Sequence, residues 1–146
     1  LNINYLAIAS WGHDVFRNKV RAKGPHQGKL VNKVVYDRLK GRVAVIASGG
    51  INSKEKALEA LENADLVGLS TPFITDPEFA VKIQEGNESD IQLTIKPEAL
   101  EALAIPKAAF KDIVPLMDFG ESLEKEARDF FRGLEANYEG RETGEN

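Results

Sequence analysis

Two short segments of small and hydroxyl-bearing residues are the best candidates for binding an anionic group. Ser48, Gly49 and Gly50 follow one apolar run, and Ser70 and Thr71 follow the next. Proteins commonly bind phosphate with backbone N–H groups, and glycine lets the backbone approach the ligand closely. The two hydroxyl groups add further donors. The pattern predicts a phosphate site, and a tight turn without a ligand is the alternative interpretation of the glycine pair.

The elements that would position these turns alternate between strand and helix. Apolar strands are predicted over residues 5–9, 43–47 and 66–69, with an amphipathic helix over 30–40 and another after the glycine pair. Repeated units of this kind build parallel sheets whose faces are both covered. In a β/α barrel, the turns after the last two strands commonly bind phosphate.

Capping residues predict where the helices begin and end. Gly41 is expected just past the end of the first helix, and Asn52 with Glu55 resembles a capping box for the second. Residues 76–78 (Asp-Pro-Glu) are expected to open a third helix that ends at Gly86. The long connection over residues 10–28 lacks periodicity, which is typical of a functional or mobile loop.

The pattern changes after residue 86, and we expect two regions. Residues 1–86 are interpreted as part of a β/α barrel, and residues 87–146 as a mostly helical C-terminal extension. The predicted segments of the extension are 90–95 (extended), 97–104 (short helix) and 122–138 (amphipathic helix).

Composition excludes several classes of protein. The net charge is -4 and the pI is about 5.3, which argues against a nucleic-acid surface. Without cysteine there can be no disulfide, thiolate metal site or cysteine nucleophile, and we expect no bound metal. No apolar run approaches a membrane span, and no signal peptide is recognisable. The expectation is a cytoplasmic protein that binds neither membranes nor nucleic acid.

Length suggests that the sequence is a fragment. A complete β/α barrel needs about 250 residues, whereas this chain has 146 and begins at Leu1, close to its first predicted strand. We therefore expect it to be part of a longer protein.

Three runs together resemble the old yellow enzyme family of FMN-dependent NAD(P)H oxidoreductases, which are β/α barrels. They read Val-Ile-Ala-Ser-Gly-Gly-Ile (45–51), Ala-Asp-Leu-Val-Gly-Leu (64–69) and Pro-Phe-Ile-Thr-Asp-Pro-Glu-Phe (72–79). Residues 5–11 resemble that family's sixth strand, so the next two strands would be the seventh and eighth. The resemblance implies an α/β fold, a partial (β/α)8 barrel made of the last three βα units.

The resemblance also implies a cofactor site. The backbone around Ser48, Gly49 and Gly50 would hold the FMN phosphate together with Ser70 and Thr71, and NADH or NADPH would be the electron donor. Most family members have Gly-Arg where this chain has Ser70 and Thr71. That difference removes a fixed positive charge and a planar stacking surface.

The family's catalytic residues are not recognisable here. Its histidine pair, or histidine and asparagine, and its tyrosine proton donor come from earlier strands, so the catalytic residues of this chain are unknown. His13, His26 and Tyr36 match only in residue type and receive no role. The basic residues of the first loop could attract a nucleotide phosphate, but a solvated loop is the more ordinary interpretation; they are Arg17, Lys19, Arg21 and Lys23.

Three functions are consistent with the sequence. The first is a fragment of an FMN-dependent oxidoreductase that acts on a small-molecule acceptor such as an activated alkene and is inactive without the N-terminal half of the barrel. The second is a phosphate-binding isomerase, aldolase or synthase, because fold does not dictate function. The third is a non-catalytic assembly domain, since three parallel strands leave two unpaired edges that favour a homo-oligomer.

Overall fold

A computed structural model of the protein describes residues 3–9, 14–95 and 99–106. The chain forms two compact units, Leu1–Ser70 and Thr71–Asn146. The two units are defined by compactness alone and are not a test of the predicted barrel part and extension. The boundary between a barrel part and an extension at residues 86 and 87 stays a prediction.

A three-stranded parallel sheet forms the centre of the first unit. Its strands are β1 (Tyr5–Ile8), β2 (Ala44–Ser48) and β3 (Leu66–Gly68), in the order β1-β2-β3. Ala47 of β2 aligns with Ile8 on one side and with Val67 on the other. The predicted strands, their parallel direction and the α/β class are confirmed.

Helix α1 (Val31–Leu39) connects β1 to β2 and lies within the predicted span. The helix ends at Lys40, which adopts the left-handed conformation with φ of +49°. We expected Gly41 directly after the last residue of the helix; that position is occupied by Lys40, the C-cap, and Gly41 follows it. Gly41 also has a positive φ, of +72°, so the chain reverses over two residues where we expected one.

Helix α2 (Lys54–Leu61) connects β2 to β3. Its N-cap is Ser53, whose hydroxyl accepts a hydrogen bond from the backbone N–H of Lys56 at 3.2 Å. The predicted capping box at Asn52 is therefore wrong by one position. Serine and asparagine are both good N-caps, so the sequence alone could not separate two such residues in succession.

Helix α2 packs on the sheet through alanines. Ala60 is buried, and Ala57 packs against the buried core, whereas Leu58 and Leu61 are 59% and 39% exposed. Small side chains at this spacing form one stripe and let the helix lie close to the sheet. The buried cluster of this unit consists of Phe16, Val45, Ala47, Ile51, Ala60 and Ala64.

The loop after β1 folds back onto the core. A 3₁₀ turn at Val15–Arg17 buries Val15 and Phe16, each 4% exposed. The chain then forms successive turns and returns through an antiparallel bridge between Lys19 and Leu30. This segment is aperiodic, as predicted, yet its first part belongs to the core.

The second unit contains two short helices, α3 (Thr71–Thr75) and α4 (Phe79–Glu85), and a 3₁₀ turn at Glu88–Asp90. Helix α3 was not predicted. Gly86 ends α4 in the left-handed conformation, with φ of +79°, as predicted. Within the described residues, 91–95 form no strand. Of the predicted extended segment, Asp90 belongs to the 3₁₀ turn and Ile91 has an extended backbone. The N–H of Gln92 donates to the carboxylate of Asp76.

Asp76 is a buried anion, only 4% exposed, that organises this unit. Its carboxylate accepts hydrogen bonds from the Glu78 N–H at 3.1 Å, the Gln92 N–H at 2.9 Å and the Lys82 ammonium at 2.7 Å. We predicted that Asp76 would cap the following helix directly. Instead it closes the turn before α4, which begins at Phe79 after Glu78 as its N-cap.

Two predicted helices of the extension fall wholly or partly beyond these elements. Of residues 97–104, the structure describes 99–104, which form hydrogen-bonded turns such as that from the Leu103 N–H to the Ala99 carbonyl at 2.9 Å. The helix predicted over residues 122–138 lies outside the described residues.

Candidate phosphate-binding turn

The glycine turn lies at the carboxyl edge of the sheet. Ser48 is the last residue of β2, and Gly49 and Gly50 follow with φ of +92° and +82°. These are conformations that glycine adopts readily and most other residues adopt rarely. Because Ser48 aligns with Gly68 at the end of β3, the segments that leave the two strands begin at the same edge. Ser70 is exposed two residues beyond that point.

The five predicted site residues are thus only partly brought together. Ser48, Gly49 and Gly50 form one turn, and Ser70 continues from the neighbouring strand at the same edge. Thr71 is the first residue of α3 and belongs to the second unit. A contact of Thr71 with a ligand on the glycine turn stays a prediction.

The hydroxyl of Ser48 has a structural partner. It donates a hydrogen bond to the backbone carbonyl of Ile8 at 2.8 Å. This bond joins the ends of β1 and β2, and it uses the one proton that the hydroxyl can donate. Ser48 can therefore offer its backbone to an anion more readily than its side chain.

The missing side chains of the two glycines leave room for the loop after β1. A Cβ atom on Gly50 would lie 2.6 Å from the Cα of Asp14, and one on Gly49 would lie 2.6 Å from the Cβ of Val15. The Phe16 N–H also donates to the Gly49 carbonyl at 3.4 Å. Both glycines are thus required by packing on one side of the turn, so the interpretation as a tight turn has a structural basis of its own.

Asp14 is a residue that the sequence did not single out. It has a left-handed backbone, with φ of +45°, and lies against Gly50. Its carboxylate forms ion pairs with the Lys56 ammonium at 2.7 Å and with the Arg17 guanidinium at 2.6 Å. Aspartate tolerates this conformation better than most residues. The sequence could not reveal its pairing with Lys56, because the two residues are 42 positions apart in the chain.

Lys56 places a positive charge on the glycine turn. Its ammonium group lies 3.3 Å from the Gly50 carbonyl oxygen as well as 2.7 Å from Asp14. The Lys56 side chain is 27% exposed, so solvent and solutes can reach it. It is the second residue at this edge that the sequence analysis missed.

A bidentate ion pair completes the charge network. Arg17 donates to the two carboxylate oxygens of Glu59 at 2.8 and 2.6 Å. This hydrogen bonding raises the pKa of Arg17 and lowers the pKa of Glu59. We call Asp14, Arg17, Lys56 and Glu59 the turn network; its two cations and two anions balance.

The other candidate residues have less specific surroundings. His13 lies outside the described residues. His26 is exposed, and the Tyr36 hydroxyl donates to Asp65 at 3.3 Å, which is a structural contact. Lys19, Arg21 and Lys23 are exposed, consistent with a solvated loop.

The first unit also has a small cavity of about 60 Å³. None of the three turn residues 48–50 lines it, but Arg17 and Glu59 of the turn network do. Its lining residues are Phe16, Arg17, Leu30, Asn32, Glu59, Ala60, Glu62 and Asn63.

Within the described ranges there is no cluster of three metal-ligating side chains. The helices of those ranges include none with the length and apolar character that a membrane span requires.

Comparison with known proteins relates the chain to oxidoreductases. It is 60% identical over 136 residues to an uncharacterized oxidoreductase of Streptococcus pyogenes serotype M5 (strain Manfredo), covering 93% of this chain and 34% of that protein. It is 34% identical over 113 residues to a probable NADH-dependent flavin oxidoreductase of Bacillus subtilis (strain 168), covering 77% of this chain and 29% of that protein. The chain thus spans about a third of the length of these relatives.

A third relative has a different name. The chain is 35% identical over 82 residues to a 4-hydroxy-tetrahydrodipicolinate synthase of Stutzerimonas stutzeri (strain A1501), covering 56% of this chain and 26% of that protein. No protein-family profile matches the chain. The two relatives with the broader coverage of this chain are both named as oxidoreductases.

Proposed function

We propose that this chain functions as part of an FMN-dependent NAD(P)H oxidoreductase of the old yellow enzyme type. In this proposal, Ser48, Gly49 and Gly50 bind the FMN phosphate through their backbone, and Ser70 and Thr71 add donors from the next turn. NADH or NADPH is the electron donor. The acceptor is a small molecule such as an activated alkene.

The observation that carries the proposal is the glycine turn at the carboxyl edge of a parallel sheet, in a chain related to a named flavin oxidoreductase. Gly49 and Gly50 hold conformations with positive φ next to the end of β3. Ligands of open and closed parallel α/β sheets bind at this edge. The 34% identity to the Bacillus protein favours a flavin among the ligands that carry phosphate.

The groups at this edge fit a phosphate chemically. The turn offers a backbone without side chains, Lys56 offers an ammonium group beside the Gly50 carbonyl, and Ser70 offers an exposed hydroxyl. All three groups can donate hydrogen bonds to phosphate oxygens, and the ammonium also carries a positive charge. Asp14 and Val15 fill the space next to Gly50 and Gly49, so the ligand would approach from the side away from them. Lys56 is paired with Asp14 and would have to turn towards that ligand.

The chain's own contribution is to bind and orient the cofactor. When bound, FMN supplies the hydride-transfer chemistry between the nicotinamide and the acceptor. The turn residues would hold the phosphate end, which fixes the position of the rest of the molecule. No proton donor is assigned among the described residues. We propose that catalytic residues and the remaining barrel strands come from the N-terminal half.

Flavin titration tests this proposal. The chain is titrated with FMN and separately with riboflavin, which lacks the phosphate, and quenching of flavin fluorescence gives both dissociation constants. FMN is expected to bind at least about tenfold more tightly, the equivalent of one charge-assisted hydrogen bond. Equal affinity for the two flavins would refute a phosphate site. NADPH oxidation by the isolated chain is expected to be negligible; turnover near that of intact family members would refute its role as a partial barrel.

A phosphate-binding synthase or aldolase is the second candidate. The observation in its favour is the 35% identity over 82 residues to the Stutzerimonas synthase. A protein purified with bound flavin, visible as a yellow colour with flavin absorbance bands, would exclude it. A colourless protein that binds a phosphorylated metabolite but no flavin would favour it.

A further inference from the structure

We infer that Lys56 is the cationic ligand of the phosphate group at the glycine turn, and that Asp14 restrains it when no phosphate is bound. For the identity of the molecule that carries the phosphate, this inference rests on the proposed function. The role of Lys56 itself rests on its position beside Gly50.

First, Lys56 places its positive charge directly on the glycine turn. The Lys56 ammonium is 3.3 Å from the Gly50 carbonyl oxygen. Lysine carries its compact ammonium charge on a flexible stem of four carbons, so the charge can change position by bond rotation. In this inference, rotation about the side-chain bonds of Lys56 moves the ammonium from the Gly50 carbonyl and Asp14 to the bound phosphate.

The second step is the availability of Lys56. Its partner Asp14 has a second cation, Arg17, at 2.6 Å on its other carboxylate oxygen. Asp14 therefore stays paired when Lys56 moves, and no buried charge is left alone. The Lys56 and Asp14 side chains are 27% and 29% exposed, so water reaches the pair, and separating it should cost less than breaking a fully buried ion pair.

The third step is the charge balance. The turn network is neutral as it stands, so the charge of Asp14 offsets part of the attraction that Lys56 exerts on an anion. Asparagine at position 14 would remove that negative charge, and it tolerates the left-handed conformation that Asp14 adopts. Replacement of Asp14 by asparagine should therefore release Lys56 and strengthen phosphate binding.

The test uses three variants of the chain and two kinds of probe. Lys56→Gln removes the ammonium, Asp14→Asn removes its restraint, and Lys33→Gln is the matched control, since Lys33 pairs with Asp37 on α1 instead. Inorganic phosphate binding is followed by the increase in unfolding temperature, and the FMN and riboflavin dissociation constants are measured by fluorescence.

The inference predicts opposite effects of the two turn variants. Lys56→Gln should weaken FMN binding about tenfold and leave riboflavin binding unchanged, and Asp14→Asn should strengthen FMN binding severalfold. The inorganic phosphate shift should be lost in Lys56→Gln and kept in Lys33→Gln. A purely structural role of Lys56 would weaken both flavins equally, and that result would overturn the inference.

The two proposals fail in distinguishable ways. If inorganic phosphate stabilises the wild type through Lys56 but FMN does not bind, the flavin function is wrong and the phosphate ligand is right. If FMN binds more tightly than riboflavin and Lys56→Gln leaves that preference intact, the flavin function stands and the assignment of Lys56 is wrong. If neither probe binds the wild type, both are wrong.

Discussion

Asp65 and Val45 are joined by two reciprocal hydrogen bonds. The Val45 N–H donates to the Asp65 carboxylate at 2.8 Å, and the Asp65 N–H donates to the Val45 carbonyl at 2.8 Å. The Tyr36 hydroxyl also donates to this carboxylate, at 3.3 Å. Asp65 belongs to one of the runs that resemble a flavoenzyme family, and its role here is to join α1, β2 and the start of β3.

Replacement of Asp65 by alanine is expected to destabilise the first unit by about 2 kcal/mol, because a strand N–H and a phenol lose their acceptor. Asp37→Ala is the control, since Asp37 is a 60% exposed partner of Lys33 on α1. That change should alter the free energy of unfolding by no more than about 0.5 kcal/mol. Urea denaturation followed by circular dichroism measures both, and equal effects would contradict the role of Asp65.

Replacement of Gly50 by alanine should be much more damaging than the same change at Gly41. Both positions have a positive φ, of +82° and +72°, so both variants carry backbone strain of about 1 kcal/mol. A Cβ on Gly50 also meets the backbone of Asp14, whereas one on Gly41 has nothing within 4 Å. We expect an additional loss of about 2 kcal/mol at Gly50.

Thermal unfolding of the two glycine variants gives the comparison. A difference in the predicted direction shows that the loop after β1 is seated on the turn in solution. If Gly50→Ala and Gly41→Ala unfold at the same temperature, residues 14 and 15 do not pack there. Flavin binding should be lost in the first variant and kept in the second.

Acid should destabilise the second unit through Asp76. Burial alone would raise the pKa of this carboxyl group, but hydrogen bonds from Lys82, the Gln92 N–H and the Glu78 N–H outweigh it and lower the pKa. The native state then binds fewer protons than the unfolded state. The stabilisation is complete above the unfolded pKa of about 3.9 and is lost as the pH falls through the lower native pKa.

The measurement for Asp76 is the urea midpoint between pH 7 and pH 3 in the wild type and in Asp76→Asn. The variant should be less stable at pH 7, by about 3 kcal/mol, because Lys82 loses its buried partner. The gap between the two proteins should narrow as the pH falls. A gap that stays constant with pH would exclude Asp76 as the titrating group.

The outer strands of the described sheet should promote self-association. Tyr5 on β1 and Leu66 on β3 are 61% and 54% exposed, and each strand is paired on one side, with β2. Unpaired strand edges with apolar side chains favour association between molecules. Sedimentation velocity at two concentrations should show oligomers of the chain, and Leu66→Lys should reduce them.

Leu58→Lys is the control for the strand edges. Leu58 is 59% exposed, as much as Leu66, but it lies on α2 and not on a strand. If both lysine variants reduce association equally, general surface hydrophobicity and not strand pairing is the cause. A wild-type chain that stays monomeric at high concentration would reject the prediction.

The strands could be predicted from the sequence, whereas the surroundings of the glycine turn could not. Runs of β-branched and apolar residues around Val45 define strands through local preference, and Gly86 ends a helix by a local rule. The contact of Asp14 with Gly50 depends on how a loop closes over a distant turn. The same holds for the pair between Asp14 and Lys56, 42 positions apart, because opposite charges occur in many places along the chain.

Local rules also failed where two candidates competed. Ser53 rather than Asn52 caps α2, and Lys40 rather than Gly41 first takes the left-handed conformation. Serine and asparagine are both good N-caps, so the rule could not separate Ser53 from Asn52. Glycine is the usual left-handed residue, so the rule favoured Gly41 and did not anticipate that Lys40 would adopt this conformation as well. After Asp90 the described residues pair with no strand; instead, the Gln92 N–H donates to the buried carboxylate of Asp76.

The register of the sheet has a consequence for the order in which the chain folds. Ala47 meets Val67 about twenty positions later in the chain, but it meets Ile8 about forty positions earlier. Because the entropy lost on closing a loop grows with its length, the parallel βαβ unit of β2, α2 and β3 should form first. Strand β1 then joins a preformed template, so the pairing that closes the longer loop is the later of the two to form.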